Sequence, residues 1–173
     1  KTGKTSIKNF YSDVYALDAA VNGIYGLTYK FYDNYMVLYP EVAGDLIRFQ
    51  SSAYEWRQQF DFISDENEET TAVGYIWKNG YEIIDNANEV IQYGPSVSDR
   101  FPQQAASVRN YIAQAYFLRA LAHLDLCLVY GQTYTYSDDA SHLGTAVMTT
   151  IPDVKSELAR SSASVTYKQI LSD

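Results

Sequence analysis

The reactive side chains of this chain do not form any of the common catalytic or cofactor-binding motifs. The sequence contains no Walker A loop, no dinucleotide-binding GxGxxG, no GxSxG elbow and no HExxH or CxxC pair. His123 and His142 are not at the spacing of metal ligands, and His123 falls in a long apolar segment where a structural role is expected. These absences predict a protein that is not an enzyme and that uses no cofactor.

The run Asp65–Glu69 is the most concentrated acidic segment, and its carboxylate oxygens could hold calcium. It lacks the glycine and the alternating ligands of an EF-hand loop. A solvated acidic loop is therefore the expected structure, and no metal site is predicted.

Arg119 is the one cation that interrupts an apolar stripe, where it falls between Ala115 and Ala122. A buried guanidinium must be paired, because burying it alone is very costly. We therefore predict that Arg119 is a structural clamp, either an ion pair or a helix-cap contact that fixes two helices in register. Asn88 is a similar case, since its amide could satisfy backbone groups of a neighbouring turn.

Tyrosine is the compositional outlier, with 17 residues against 7 phenylalanines and 2 tryptophans. A tyrosine offers a rigid apolar face and a hydroxyl at its tip, which suits surfaces that bind sugars or proteins, although packing between helices is the alternative at any one position. Tyr54, Trp56, Phe60 and Phe62 lie in the segment 45–70, which otherwise has the pattern of a loop. A long aromatic loop is more often functional than an ordinary connection is.

Composition excludes several classes of protein. Hydrophobic residues make up 47% of the 173 residues and charged residues 20%, which is typical of a globular protein. The net charge of −8 argues against binding to nucleic acid or to an anionic membrane surface. Cys127 is the only cysteine, so no intrachain disulfide can form.

Membrane and export signals are also missing from the printed sequence. No uninterrupted run of about 18 apolar residues occurs, which predicts no transmembrane helix. The chain opens with Lys1–Ser6 and no apolar signal segment follows. We expect either that the protein is not exported or that a targeting segment precedes this chain.

Apolar periodicity predicts four helical regions and the start of another. They are Asp13–Tyr29, a short segment at Tyr35–Tyr39, Thr71–Gln92, Gln103–Tyr130 with its most apolar part from Arg109, and a last helix from near Ser164. In the third region the stripe consists of Ile76 or Trp77, Tyr81, Ile84, Asn88 and Ile91.

Glycine and proline predict where these helices end and where they pack closely. Gly94-Pro95 is expected to end the third helix, and Gly131 the fourth. Gly23 and Gly26 are expected to let a neighbouring helix approach.

The predicted fold is all-α, with tetratricopeptide-like antiparallel helix hairpins and long irregular loops. Two long helices joined by a turn-rich link, followed by a further helix, have the arrangement of stacked hairpins, although no clean 34-residue period repeats. The segment 132–152 is polar and turn-rich. The chain stops at Asp173 within an amphipathic pattern, so we expect the natural protein to continue.

The segment Ala115–Leu121, followed by Leu124, Leu126 and Tyr130-Gly131, resembles the signature helix of the SusD/RagB family, in which an A-x-F-L-R-A core precedes a Y-G end. The other matches, in chain order, are Asn22–Tyr25, Glu41-x3-Asp45, Trp77-x3-Tyr81-x2-Ile84-x2-Ala87-Asn88-x2-Ile91, Ile151-Pro152, Leu158–Ser162 and Val165–Asp173. They span nearly the whole chain in the order expected of that family.

The resemblance implies a function that composition alone does not indicate. Members of the family are tetratricopeptide-like lipoproteins of the outer membrane of Bacteroidetes, which bind glycans at the cell surface. They cover a SusC-like, TonB-dependent transporter and help to hand over oligosaccharides. Members are several hundred residues long, so this chain resembles their N-terminal helical domain, residues 1–173 here, without the lipidated cysteine and the C-terminal half.

We place the ligand surface on the aromatic loop that follows Asp45. In this hypothesis Tyr54 and Trp56 stack on sugar faces, while Asp45, Arg48 and Arg57 hydrogen-bond hydroxyl groups. The alternative for Trp56 is that it only packs the loop onto the helices.

Three functions are compatible with the sequence. The first is a non-catalytic glycan-binding subunit of a TonB-dependent nutrient-uptake complex, and the second is a helical-repeat scaffold that binds only protein partners. The third, an unrecognised hydrolase, has the least support because no catalytic motif is present.

Overall fold

Seven α-helices occur in the residues that the computed structural model describes, namely 7–44, 47, 56–63, 71–153 and 157–173. They are α1 (Ile7–Phe10), α2 (Val14–Phe31), α3 (Leu38–Ala43), α4 (Arg57–Phe60), α5 (Ala72–Arg100), α6 (Ala105–Tyr130) and α7 (Ala163–Ser172). A π-helical turn, Tyr32–Met36, joins α2 to α3, and 3-10 turns form at Pro102–Gln104 and Tyr134–Tyr136. These ranges contain no strand, only an isolated bridge between Leu143 and Ser162, which confirms the all-α prediction.

The helices α5 and α6 form an antiparallel hairpin at the centre of the molecule. The helix α2 packs against both of them, and α7 packs against α6. The apolar side chains between these helices form the main core, which includes Leu17, Val21, Ile24, Ile76, Ile83, Ile84, Val108, Leu118 and Leu126. Because α6 buries side chains on more than one face, the hairpin depends on these neighbours for its stability.

Three of the main helices begin at a side-chain cap. Asp13 accepts a hydrogen bond from the Ala16 amide at 2.9 Å at the start of α2, and Thr71 and Ser162 cap α5 and α7 in the same way. The helix α6 ends at Gly131, as the sequence predicted. The Gly131 amide donates to the Cys127 carbonyl at 2.8 Å.

The structure corrects the predicted end of the third helix, because α5 continues through Gly94 and Pro95 to Arg100. Gly94 serves close packing here and does not end the helix: a Cβ at this position would lie 2.6 Å from Cγ1 of Ile112 on α6. Pro95 removes one helical hydrogen bond. The last turns are held instead by the buried Val97 and by Arg100, whose Nη2 donates to the Tyr11 carbonyl at 2.7 Å.

The expectation for Gly23 and Gly26 was also wrong. A Cβ at either position would meet nothing within 4 Å, so neither glycine admits a neighbouring helix. That role belongs to Gly80 on α5, where a Cβ would lie 2.8 Å from Cδ2 of Leu126.

The predicted segment Tyr35–Tyr39 is helical, divided between the π-helical turn and α3. Pro40 lies in the first turn of α3, where the missing amide proton is not needed. Of the predicted loop 45–70 the structure describes Ile47 and residues 56–63, which include α4. The acidic run Asp65–Glu69 lies outside the described residues.

Pro102–Tyr130 is the one helical stretch in the described part of the chain that is long and apolar enough to cross a membrane, with a mean hydropathy of 1.3 over 18 residues. The prediction from uninterrupted apolar runs did not single out this segment. Core helices of folded domains pass the same test. Here α6 packs against α2, α5 and α7, and its buried Arg119, His123 and Asp125 all have hydrogen-bond partners within the protein.

Candidate functional site

Three of the five residues predicted to bind a ligand, Asp45, Arg48 and Tyr54, lie outside the described residues. Trp56 is described and is only 7% exposed. Its ring packs with Val42 and Ala72, and its centroid lies 6.1 Å from that of Tyr35. This burial favours the packing alternative for Trp56, and its role in sugar stacking stays a prediction.

Arg57 begins α4 and is the second predicted ligand residue in the described part of the chain. Its Nε donates to Oδ2 of Asp61 one helical turn later, at 2.5 Å, and its side chain is half exposed. A side chain that is half exposed can be reached by a polar ligand from solvent. Its role as a hydroxyl donor also stays a prediction.

Arg119 has the contacts of a fully paired buried cation. Its Nε and Nη2 donate to the two carboxylate oxygens of Asp173 at 2.7 and 2.5 Å, and these side chains are 4% and 2% exposed. Its Nη1 donates to Oδ1 of Asn88 at 2.7 Å and to the Thr149 carbonyl at 3.2 Å. A bidentate pair of this kind is strong and directional. The three side chains Asn88, Arg119 and Asp173, called the clamp below, connect α5, α6 and the end of α7.

The clamp also holds an extended segment, Ala146–Thr150, which we call the strap. Nδ2 of Asn88 donates to the carbonyls of Met148 and Thr150 at 3.2 and 3.1 Å. The Tyr81 hydroxyl donates to the Ala146 carbonyl at 2.8 Å. Since a loop without regular structure cannot satisfy its own backbone groups, these side chains fix its path across α5 and α6.

His123 completes the attachment of the strap. The ring is fully buried, its Nδ1 lies 3.0 Å from the Arg119 carbonyl, and its Nε2 accepts from the Met148 amide at 3.1 Å. Both contacts are satisfied only by a neutral ring that carries its proton on Nδ1. Burial lowers the pKa of His123 to about 4, so the ring is neutral at pH 7.

A groove of about 830 Å³ lies between α5 and the strap. One wall consists of Trp77, Lys78, Tyr81, Glu82 and Asp85, which recur at helical spacing on one face of α5. The other wall is the strap with its continuation to Asp153, together with Leu158. Because the clamp and His123 position the strap, they also position this second wall.

Aromatic and acidic side chains lie next to each other in the groove. The Trp77 ring is 36% exposed, and its centroid lies 4.8 Å from that of Tyr81 and 5.0 Å from that of Tyr130. Oδ1 of Asp85 is buried, and no group in the described part of the chain donates a hydrogen bond to it. Burial raises the pKa of this carboxyl above its ordinary value. Such a surface can bind a ligand that has apolar faces and several hydrogen-bond donors.

Sequence reasoning did not identify this groove, because it assigned Tyr81 and either Ile76 or Trp77 to the core stripe. The signal that could have found it is the spacing of Trp77, Tyr81 and Asp85 in steps of four, which places two rings and a carboxylate on one helix face.

Comparison with known proteins gives a family match and a shared fold. The family model SusD-like_3, described as starch-binding and associating with the outer membrane, matches residues 5–173. A SusD superfamily protein from Bacteroides thetaiotaomicron VPI-5482 has a TM-score of 0.74 at 21% identity. A candidate sugar-binding protein from Bacteroides vulgatus ATCC 8482 has a TM-score of 0.74 at 22% identity.

Both alignments cover 92% of this chain and 35% of the solved chain, so the chain spans about a third of the length of those structures. None of the curated proteins matches it. At this level of identity the likeness to the solved structures shows the fold.

Proposed function

We propose that this chain, which belongs to the SusD-like_3 family of starch-binding proteins that associate with the outer membrane, binds oligosaccharides there without altering them chemically. The observation that carries the proposal is the family match, because it extends over residues 5–173 and includes every helix described above.

The groove supports the proposal by its chemistry. The partly exposed Trp77 ring offers an apolar face that suits the C–H surface of a pyranose. Carboxylates at Glu82 and Asp85 lie on the same helix face and can accept hydrogen bonds from sugar hydroxyls. The fixed strap keeps the opposite wall in place, which lowers the conformational cost of binding.

We propose that the aromatic loop predicted from sequence contributes to the same ligand surface. Trp56 packs against Ala72 at the start of α5, and Trp77 follows five residues later, roughly 8 Å along the helix axis. In the proposal Asp45, Arg48, Tyr54 and Arg57 extend the same ligand surface, while Trp56 holds the loop against the helices.

The family also suggests an assembly. We propose that the protein is held at the cell surface of a member of the Bacteroidetes by a lipid anchor and works with a SusC-like, TonB-dependent transporter. The second candidate, a scaffold for protein partners, is favoured by exposed apolar residues on α6. Phe117 and Leu128 are exposed there, and Leu121 and Leu124 lie on the same face at helical spacing.

Calorimetric titration of the protein with a panel of oligosaccharides tests the proposal. We expect Trp77→Ala to weaken binding about tenfold or more, as truncation of an aromatic anchor does. Phe117→Ala is the matched control, since it removes another exposed ring on a different helix. Unchanged affinity in Trp77→Ala would exclude the groove as the sugar site.

The same titration separates the other parts of the proposal. A loss of affinity in Trp56→Ala would show that the predicted loop contributes. If no oligosaccharide binds, the glycan function is wrong. Binding of a transporter barrel to the wild type but not to Phe117→Ala would then support the scaffold function.

A further inference from the structure

The side chains that line the groove carry more negative than positive charge. Among the described residues of the lining, Glu82, Asp85 and Asp153 carry carboxylates and Lys78 carries an ammonium group. In the described part of the chain, neither Glu82 nor Asp85 forms an ion pair. The whole chain carries a net charge of −8. A ligand entering the groove therefore meets a negative potential, which the surrounding low-dielectric walls concentrate.

Asp85 also has one oxygen that no described group satisfies. Its Oδ1 is buried, and no described group of the protein hydrogen-bonds to it. A buried carboxylate oxygen without a partner is unfavourable, and the cost is larger for a charged group than for a neutral one. The torsion of an aspartate carboxylate is soft, so a small rotation can present this oxygen to the groove that Asp85 lines. A ligand that donates a hydrogen bond to this oxygen removes the cost of leaving it unsatisfied.

Trp77 and Tyr81 add a feature that favours a cation over a neutral donor. Their rings are tilted by 52° with centroids 4.8 Å apart, and Asp85 follows Tyr81 by one helical turn. A cation over the face of a tryptophan or tyrosine gains from the ring quadrupole in addition to its attraction to carboxylates. A neutral sugar gains only the apolar contact and hydrogen bonds.

We propose that the groove prefers oligosaccharides that carry free amino groups, with a glucosamine-type ammonium bonded to Asp85 and Glu82 and the sugar ring packed on Trp77. This inference rests on the proposed function, because it names the ligand class of the same groove. N-acetylation replaces the ammonium by a neutral amide at the same ring position. Uronic acids carry a carboxylate at C6 and no ammonium group, so the negative groove repels them.

Calorimetric titration of the protein at pH 6 and low ionic strength tests this preference. The three ligands are a glucosamine trisaccharide, its fully N-acetylated counterpart and a uronic acid trisaccharide. We expect the dissociation constant of the amino form to be at least tenfold lower than that of the acetylated form, and no measurable binding of the acidic form. The preference should shrink as salt is raised, because exposed charges are screened.

The double variant Glu82→Gln/Asp85→Asn isolates the charge effect. It should bind the acetylated trisaccharide as the wild type does and lose most of the preference for the amino form. Glu82→Gln alone, an exposed position, gives a partial loss even if the double variant folds poorly. Asp99→Asn is the matched control, because Asp99 is an exposed carboxylate on the same helix that does not line the groove.

The outcomes separate this inference from the proposed function. Equal affinities for the amino and acetylated forms, or a preference that survives in the double variant, would overturn the inference alone. Binding of none of the three ligands, with the wider oligosaccharide panel also failing, would overturn both. A tenfold preference that Glu82→Gln/Asp85→Asn abolishes and Asp99→Asn leaves intact supports the inference.

Discussion

The helix α5 carries two polar surfaces that differ in how their polar groups are satisfied. The first surface surrounds Asn88, which bonds to Arg119 and to two strap carbonyls, so both the oxygen and the nitrogen of its amide have partners. The second surface lines the groove, where Glu82 is exposed and Oδ1 of Asp85 has no hydrogen-bond donor in the described part of the chain. Satisfied buried groups fix a structure, whereas unsatisfied groups beside a cavity retain the capacity to bind. Substitutions should therefore change the free energy of unfolding on the first surface and ligand affinity on the second.

The largest effect on stability is expected from Arg119→Met. This change leaves the Asp173 carboxylate, 2% exposed, buried without its cation. Breaking a buried pair by removing one partner costs about 3–5 kcal/mol. Urea denaturation followed by circular dichroism measures the loss. Arg109→Met is the matched control, since Arg109 is exposed on the same helix, and it should change the free energy of unfolding by less than about 0.5 kcal/mol. Similar values for both variants would contradict the clamp.

The next largest effect depends on pH through His123. Because burial lowers the pKa of His123 from 6.5 to about 4, the unfolded chain binds a proton on this ring more readily than the folded one. The neutral ring makes its full contribution to the free energy of unfolding above pH 6.5, and this contribution is lost as pH falls toward 4. Each pKa unit corresponds to about 1.4 kcal/mol, so the loss is about 3 kcal/mol over this window.

The variant His123→Gln checks this dependence, because glutamine does not titrate. Its free energy of unfolding should fall less than that of the wild type between pH 7 and pH 4, whatever its value at pH 7. Parallel curves for the two proteins would show that His123 is not the responsible group.

Asn88→Ala should have a smaller effect, about 2 kcal/mol, because it leaves buried donors and acceptors of Arg119 and the strap unpaired. Asn86→Ala is the control, since the Asn86 amide donates to the backbone carbonyl of Glu82 on an exposed part of α5 and bonds to no other described group. Loosening of the strap should also weaken oligosaccharide binding in the groove. A stable Asn88→Ala protein with unchanged affinity would show that the strap does not depend on this contact.

Local sequence signals predicted the helices because their causes are local. The start of α2 near Asp13, the Gly131 end and the apolar stripe of α6 depend on residues within one or two turns. The need of Arg119 for a partner also followed from its place on that stripe. The identity of the partner did not, because Asp173 lies 54 residues away and only the packing of α7 on α6 brings it near.

The groove was missed for a similar reason. Ile76 and Trp77 are adjacent, and either fits the apolar stripe of α5. Tertiary packing decides between them: Ile76 is fully buried in the core, whereas Trp77 is partly exposed. The continuation of α5 past Gly94 likewise depends on a tertiary contact, with Ile112. Periodicity identifies a face of a helix, but only tertiary packing determines which neighbouring residue is buried.

The smallest effect, with the opposite sign, is expected from Asp85→Asn. A neutral amide of the same shape replaces a carboxylate that is partly desolvated and whose Oδ1 has no described partner. The free energy of unfolding at pH 7 should therefore rise by about 0.5 kcal/mol. The value is modest because solvent screens part of the charge. Since burial raises the pKa of Asp85, its cost appears as pH rises through that pKa, and the gain in the variant should vanish below the ordinary value of 3.8. Thermal and urea unfolding at pH 7 and pH 3 measure both limits, with Asp99→Asn as the control. A loss of stability in Asp85→Asn would mean that the carboxylate serves the fold, and the contrast between the two surfaces of α5 would disappear.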